Sequence, residues 1–253
     1  MMVMSISAHA VDTATGPNSV YIQQIGSSNV ITIEQVGGTN RVGGVTNTTT
    51  TAVDASGITT LTPAAPSASN YGTITGSSNT LTMTQHGNAN SAQYNIQGGH
   101  NVYTNTVTGN NNQNALTVGD TNHADNNYNT VTETVTGNSN TIITNIVGST
   151  NTLTTAITGN SNQVTQNVTT SNASITNTIT GNSNVFNIQQ QDAAGANGHV
   201  LVATTSGDYN SITTQQQGTN DTTVNLNTSG NHNTITVRTS SVAISGPMTA
   251  IAR

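Results

Sequence analysis

The sequence contains no cysteine and no lysine, and charged residues occupy only 5% of its 253 positions. Without cysteine, the chain can form neither a disulfide framework nor a thiolate metal site. Its permanent cations are Arg41, Arg238 and Arg253, and its formal net charge is −6. Because phosphate binding requires a basic stripe, nucleic acid is not an expected partner.

Long hydrophobic runs, aromatic residues and prolines are also scarce. No stretch of about 18 apolar residues is present, so no membrane-spanning helix is expected. Disordered chains usually combine low hydrophobicity with high net charge or many prolines, but this chain has a modest charge and only four prolines. A sequence dominated by Thr, Asn, Gly and Ser, with spaced β-branched residues, instead favours strands held together by backbone ladders.

The first ten residues, MMVMSISAHA, resemble the end of a secretory signal. Ala8-His9-Ala10 has the small-residue pattern of a cleavage site, although the stretch is short and has no basic region. We interpret residues 1–10 as the end of an export signal and expect a secreted, extracellular or cell-surface protein. The alternative is a disordered tail that happens to contain two alanines.

A repeat of the form Gly-x-x-Asn organises most of the chain, and its commonest step is eleven residues, as from Gly26 to Gly37. Glycine supplies the positive φ that a tight turn needs, and asparagine tolerates the left-handed region or bonds to the local backbone. We therefore predict turns at Gly26, Gly37, Gly76, Gly87, Gly98, Gly109, Gly137, Gly148, Gly159, Gly181 and Gly207.

Between the turns, polarity alternates with a period of two, which is the pattern of a half-buried strand. The fifth, seventh and ninth residues after each glycine share one face, as Ile31, Ile33 and Gln35 do after Gly26. The opposite face is mostly threonine. The pattern predicts an all-β fold: a β-solenoid of 11-residue strand–turn units with about 22 residues per rung, the rungs stacking about 4.8 Å apart.

Stacking places equivalent side chains on top of one another, so inward amides can bond to copies of themselves in neighbouring rungs. We predict such structural ladders from Gln24, Gln35, Gln85, Gln190, Gln216, Asn29, Asn79, Asn140, Asn151, Asn162, Asn184 and Asn210.

The repeat divides the chain into segments. Residues 11–40 and 71–240 carry it, with predicted loops at 120–127 and 192–206. Residues 41–70, which include Pro63 and Pro66, are predicted to form an insertion or loop. Residues 241–253 lie outside the pattern as a C-terminal tail.

No constellation for catalysis or metal binding is evident, so we expect no enzyme, no catalytic residues, no metal site and no cofactor. The six histidines lie mostly beside turn glycines and lack the spacing of metal ligands. Asp120 and Asp125 offer only a weak calcium site. Glu133 falls in an inward slot, which is unfavourable for a charge, and we interpret it as the sign of a local register shift.

The outward threonines suggest a binding function as an alternative. Pairs such as Thr80/Thr82, Thr130/Thr132 and Thr152/Thr154 resemble the arrays of ice-binding proteins, although threonine is also simply a good strand former. Because Gln163, Ser174 and the insertions are expected to interrupt these arrays, we rank ice binding below a structural role. Tyr94, Tyr103, Tyr128 and Tyr209 would suit a glycan-binding adhesin, but they are not clustered in sequence.

The unit from Val20 to Gln35, with Gln24, Gly26 and Asn29 at fixed spacing, resembles the curlin repeat of bacterial extracellular amyloid fibres. Residues 18–40 carry the resemblance well, and about 71–118 and 137–238 carry it in part. Many middle units replace the closing Gln by Val or Ile. The resemblance implies a self-assembling extracellular fibre subunit of a biofilm matrix, with itself as partner and an outer-membrane secretion pore and a nucleator as possible further partners.

Overall fold

The computed structural model describes residues 6–11, 17–43, 49–53, 59–62, 71–119, 126–192, 198–218 and 222–240. These residues form strands and turns, and no helix occurs among them. Two long parallel sheets face each other across a common interior. The prediction of an all-β solenoid is therefore confirmed.

Sheet A contains nine strands, each hydrogen-bonded to the next in the order of the chain. They are β1 (Ile6–Val11), β4 (Val30–Val36), β9 (Thr80–His86), β11 (Val102–Thr108), β13 (Thr130–Thr136), β15 (Thr152–Thr158), β17 (Ser174–Thr180), β19 (Val200–Ser206) and β21 (Thr223–Ser229).

Sheet B contains eleven strands, because two of its levels are each divided into two short strands. They are β2 (Ser19–Val20), β3 (Ile22–Ile25), β5 (Arg41–Gly43), β8 (Gly72–Thr75), β10 (Ser91–Gln97), β12 (Gln113–Val118), β14 (Thr141–Val147), β16 (Gln163–Thr169), β18 (Val185–Asp192), β20 (Ser211–Gly218) and β22 (Thr234–Ser240). A third, two-stranded antiparallel sheet consists of β6 (Thr49–Val53) and β7 (Thr59–Thr62).

Each rung consists of one strand of sheet A followed by one level of sheet B, and equivalent residues of successive rungs pair directly. Thr82 pairs with Thr104, for example, and Thr104 pairs with Thr132. We call the connection after a sheet A strand the A-to-B turn and the connection after a sheet B strand the B-to-A turn. All described A-to-B turns that follow β4 to β21 use a Gly-x-x-Asn unit, and so do several B-to-A turns, whereas the turn after β16 has Thr170 and Ala173 in these places.

The interior is filled by the fifth, seventh and ninth residues after each turn glycine. Leu81, Leu153 and Phe186 are fully buried representatives of these positions. Near the N-terminal end the central slot is apolar, as at Ile33 and Met83, whereas in the middle rungs it is polar. A solenoid tolerates this because an inward polar group can bond across the interior or along the stack.

The predicted interruptions are shorter in the structure. Residues 41–43 form β5 and residues 200–206 form β19, so the sequence prediction made these two segments too long. Both fit the rung register through their neighbours, Ser91–Gln93 and Ser174–Thr180, respectively. Within residues 120–127, Asn126 and Asn127 already belong to a B-to-A turn, while 120–125 lie outside the described residues.

The segment that we interpret as the end of an export signal contains β1. This strand pairs in parallel register with β4, from Ile6 opposite Ile31 to Val11 opposite Val36. Ala8-His9-Ala10 therefore lies inside the first strand of sheet A. The predicted C-terminal tail, 241–253, lies outside the described residues.

Candidate functional site

The turns follow one backbone pattern. Each repeat glycine has a positive φ, such as 136° at Gly159, and the residue two positions later lies in the left-handed region, such as Ser161 at 57°. At Gly159 an added Cβ would overlap the carbonyl oxygen of Gly181 in the next rung. Glycine is therefore required both by the φ angle and by the close approach of stacked turns.

The buried asparagine of each turn links three successive rungs. Asn140 receives Asn162 N–H on its Oδ1 at 2.9 Å and donates through Nδ2 to the Gly159 carbonyl at 2.8 Å. Its own N–H donates to Asn112 Oδ1 at 2.9 Å. Side chain and backbone are both satisfied, so the column stabilises the stack without water.

Two buried asparagine ladders result, one for each type of turn. The A-to-B ladder contains Asn18, Asn40, Asn90, Asn112, Asn140, Asn162, Asn184, Asn210 and Asn233. The B-to-A ladder contains Asn29, Asn79, Asn101, Asn129 and Asn151. The second ladder stops at Ala173, which donates only its N–H, to Asn151 Oδ1 at 2.8 Å.

A third column lies at the surface of the A-to-B turns, immediately after the glycine. Asn110 donates its N–H and its Nδ2 to Asn138 Oδ1, at 2.8 and 3.2 Å, and the pattern repeats from Asn138 to Asn160. Asp208 takes the same place and accepts Asn182 N–H at 2.7 Å. This column was not among the predicted ladders, although recurring Gly-Asn pairs in the sequence indicate it.

The predicted glutamine ladder is divided into separate pairs. Gln35 Nε2 donates to Gln85 Oε1 at 2.9 Å in sheet A, and Gln190 donates to Gln216 in sheet B. Gln24 belongs to sheet B, next to Ile74, so it is not in the column of Gln35. Gln24 therefore bonds to neither pair, and its amide has no partner in the described part of the chain.

The outer face of sheet A is an almost pure threonine array. Threonine occupies every outward position of β9, β11, β13, β15 and β17 except those of His86, Val102, Ala156 and Ser174. One column runs without a break through Thr32, Thr82, Thr104, Thr132, Thr154 and Thr176. The expectation that the insertions interrupt the array is wrong, because the insertions leave from sheet B or from turns. Gln163 does not interrupt it either, since this residue belongs to sheet B.

The outer face of sheet B is irregular and partly covered. Its second outward column contains Gln93, Ala115, Ile143 and Thr165, which are only 2%, 3%, 2% and 6% exposed. Gly43, after which the chain leaves the stack, occupies the same column. The two outer faces thus differ both in composition and in access to solvent.

A buried polar cluster surrounds the carboxylate of Glu133 at the middle of the stack. Its Oε2 accepts from Asn114 Nδ2 at 2.6 Å and from the Tyr103 hydroxyl at 3.0 Å, and its Oε1 accepts from Thr144 Oγ1 at 2.8 Å. β13 pairs continuously with β11 and β15, so the predicted register shift is absent. Alternation in the sequence predicted that Glu133 points inward, but its hydrogen-bond partners come from other strands and were not predicted.

Burial sets the acid–base properties of this cluster. Desolvation raises the pKa of Glu133 above its ordinary value, although hydrogen bonds from Asn114, Thr144 and Tyr103 act in the opposite direction. Desolvation, together with the neighbouring Glu133, holds the pKa of Tyr103 well above its usual range. Along the stack the polar chain continues, because Gln166 bonds to Thr155 at 3.0 Å and accepts from Asn177 at 2.9 Å.

The histidines and tyrosines divide into surface and interior groups. At the surface, His100 stacks on Tyr128 with ring centroids 4.8 Å apart, and Tyr209 stacks on His232 at 5.2 Å. His199 differs from the expectation of a solvated turn residue, since it is buried and its Nδ1 lies 2.8 Å from Thr222 Oγ1. The exposed His86 lies 3.4 Å from Glu34.

Tyr94 and Tyr103 are buried inside the stack, so they are not available to a glycan. Among the described residues, no group of three or more His, Asp or Glu side chains is placed to hold a metal ion. Asp120 and Asp125 lie outside the described residues. No helix long and apolar enough to cross a membrane occurs in the part of the chain that the structure describes.

The two ends of the stack expose interior positions. Val20 and Ile22 are partly buried at the N-terminal end, and Leu226, Ile235 and Val237 are partly buried at the C-terminal end. β21 and β22 each have a hydrogen-bonded neighbour on one side only within the described sheets. Comparison of the chain with protein-family models, with curated proteins and with solved structures found no match.

Proposed function

We propose that this chain is a structural subunit that assembles end to end into an extracellular fibre. The observation that carries the proposal is the last rung of the described residues, which has no described neighbour on its outer side. A Cβ at Gly159 would overlap the carbonyl of the next turn, whereas at Gly230 the contact within the described residues would be Asn233 Nδ2, 3.6 Å away. Gly230 keeps its positive φ of 106°, so the last turn retains the shape that receives another rung.

The chemistry of the two ends favours a second copy as the occupant. Within the described sheets, the first and last strands each have a hydrogen-bonded neighbour on one side only, and such an edge is a template for further pairing. Each end also presents partly buried apolar side chains, Val20 and Ile22 at one end and Ile235 and Val237 at the other. Stacking of copies would bury both the backbone groups and the apolar surface.

The A-to-B ladder supports a defined head-to-tail register. Asn18 is its first described member and Asn233 its last. Within the described residues, no further asparagine donates its N–H to the side chain of Asn233. One further step of about 22 residues, such as that from Asn18 to Asn40, would place Asn18 of a second copy on Asn233. The ladder would then continue across the contact between subunits.

The curlin resemblance supports the extracellular part of the proposal. It rests on the Gly-x-x-Asn turns and on the closing glutamines, and both elements adopt stacked positions in the structure. On this basis we place the protein outside the cell, in a matrix or on the surface, with a role in biofilm and adhesion. Its partners would be copies of itself, an outer-membrane secretion pore and a nucleator.

Assembly through the open rung can be tested with a lysine at Val237, which points inward and is partly buried at the C-terminal edge. Stacking would bury this charge without a partner, so Val237→Lys should abolish fibre growth. The matched control is Thr236→Lys, which changes the neighbouring exposed, outward position. Fibre growth is measured by thioflavin fluorescence and electron microscopy, after circular dichroism has shown that both variants fold.

Growth of Val237→Lys at the rate of Thr236→Lys would contradict end-to-end stacking at this edge. Wild-type protein that stays monomeric for days at high concentration would contradict the fibre proposal itself. Fibres that form should diffract with a meridional spacing of about 4.8 Å.

The outer face of sheet A supports a second candidate function, the binding of ice. Outward threonines recur about every 6.6 Å along a strand and about every 4.8 Å between rungs, which gives a regular two-dimensional array of the kind that recognition of a crystal lattice requires. The titratable side chains described on this face are Glu34 and His86, at its N-terminal end. The remaining rungs therefore present an uncharged surface of regularly spaced hydroxyl and methyl groups.

Thr82→Tyr and Thr152→Tyr separate the two functions. Each adds a bulky ring to the threonine array, so both should abolish thermal hysteresis and ice shaping if the face binds ice. Fibre growth occurs at the rung ends and should be unaffected. Thr213→Tyr, on the outer face of sheet B, is the matched control. A wild type without hysteresis would rule out ice binding and leave the fibre proposal standing.

A further inference from the structure

Glu133 is the one buried carboxyl group among the described residues. It lies at the centre of β13, with its side chain inside the stack and fully shielded from water. The sequence contains only one other glutamate, Glu34, which lies on the outer face of sheet A beside His86. The protein therefore carries an internal reference for any effect of burial on Glu133.

Among the described residues, no positive charge faces Glu133. From sheet A, β11 contributes Tyr103 and Asn105 and β15 contributes Thr155. From sheet B, Asn114 and Thr144 bond to the carboxyl group. Tyr103 is the only titratable group among these neighbours, and the described arginines, Arg41 and Arg238, are exposed.

Asn105 is the neighbour whose amide oxygen would accept a hydrogen bond from the hydroxyl of a protonated Glu133. It is the direct strand partner of Glu133 in the preceding rung and is fully buried. Its amide oxygen and nitrogen have no hydrogen-bond partner in the described part of the chain. A buried amide oxygen of this kind is costly unless a donor reaches it, and a protonated carboxyl group is such a donor.

We propose that the solenoid folds with Glu133 as a neutral acid, so that folding takes up one proton and acidic conditions favour the folded chain. This proton uptake depends on the closed interior of the stack, because an ionised Glu133 would have to leave water without gaining a neighbouring cation. It concerns folding of the single chain and does not rest on fibre assembly or on ice binding.

The direction of the pH effect follows from the raised pKa of Glu133 in the folded state. Below the unfolded value of about 4.3, both states are protonated and stability is at its highest. Between that value and the folded pKa, only the folded state holds the proton, so the folding constant falls about tenfold for each pH unit. Above the folded pKa both states are ionised and stability levels off.

Carbon-13 NMR of the protein labelled at the glutamate carboxyl carbon tests the proposal directly, because the chain would give only two glutamate carboxyl signals. We expect the Glu133 signal to titrate at clearly higher pH than the unperturbed glutamate value of about 4.3. Assignment of the two signals comes from Glu34→Gln. Titration of Glu133 at or below about pH 4.3 would overturn the proposal, whatever any substitution does to folding.

Denaturant unfolding between pH 4 and 8 provides the second test. Wild type and Glu34→Gln should both lose stability as the pH rises. Glu133→Gln carries no ionisable group at this position and should lose most of this dependence, so that its stability relative to wild type increases with pH. If the stability of Glu133→Gln and that of Glu34→Gln depended on pH in the same way, proton uptake by Glu133 on folding would be refuted.

Discussion

The outer faces of the two sheets are built from the same strand length and the same turns, yet they differ in every other respect. The face of sheet A is exposed and threonine-rich, and it continues in register from β9 to β17. The face of sheet B mixes Gln, Asn, Ala, Ile and Thr, and one of its columns is buried in four successive rungs. Parallel stacking repeats a side-chain type along a column only if the sequence repeats it.

The interruptions of the repeat fall on one side of this division. One leaves sheet B after Gly43, and two others, at 120–125 and 193–197, precede strands of sheet A by way of the B-to-A turn. The A-to-B turns are uninterrupted from Asn18 to Asn233, and the B-to-A ladder ends at Ala173. From Asn18 onwards, variation in chain length is thus kept away from the A-to-B turns and from the face of sheet A. The first A-to-B connection is longer, because Asn18 follows Val11 by seven positions whereas Asn40 follows Val36 by four.

The largest expected loss of stability comes from a substitution in a turn, because both sheets depend on the stacking of the turns. Gly159→Ala places a methyl group against the Gly181 carbonyl at a φ of 136°. We expect a loss of stability on the order of 3 kcal/mol or more, which is at the upper end for single substitutions. Denaturant unfolding is the measurement. Gly230→Ala is the control: it carries the φ penalty alone, and an equal loss there would argue against tight stacking of the turns.

An inserted loop tests whether the two types of turn really differ. Four Gly/Ser residues added between positions 194 and 195 lengthen an existing interruption, and loop closure then costs less than about 1 kcal/mol. The same residues placed between Asn182 and Ser183 separate members of the inner and outer asparagine columns of one A-to-B turn. We expect a clear drop in melting temperature only for the second insertion. Equal drops would remove the distinction between the turns.

A smaller effect should separate the exposed face from the covered one. Thr165 is 6% exposed on the outer face of sheet B, so Thr165→Tyr forces a ring into packed surroundings and should cost about 1–3 kcal/mol. Thr154 is exposed on the face of sheet A, and Thr154→Tyr should change stability by less than about 0.5 kcal/mol. Chemical denaturation of both variants measures the difference. Similar costs would mean that the two faces are equally accessible.

Local periodicity was enough to predict the regular strands and turns, because each depends on residues within one 11-residue unit. It missed β1, β5 and β19, which lie in segments without a clean repeat. Gly26 and Gly37 marked turns through their spacing, and Ile31 and Ile33 marked the inward face by alternation. The same reasoning assigned the threonines outward. It failed where side chains from different rungs meet, as for Gln24, which alternation places inward but which sits in the other sheet from Gln35.

The sequence by itself determined the type of structure: parallel strands closed by glycine turns, with amides and β-branched residues inside. Only the tertiary structure decided which strands share a sheet. Successive units of the repeat enter the two sheets in turn, and the chain can return to the same register after an interruption of any length. That decision joined the threonines into one face and placed Glu133 among Tyr103, Asn114 and Thr144. Thr144 meets Glu133 across the interior of one rung at a separation of 11 residues, and Gln35 meets Gln85 in the next rung at a separation of 50, so neither contact lies within a single repeat unit.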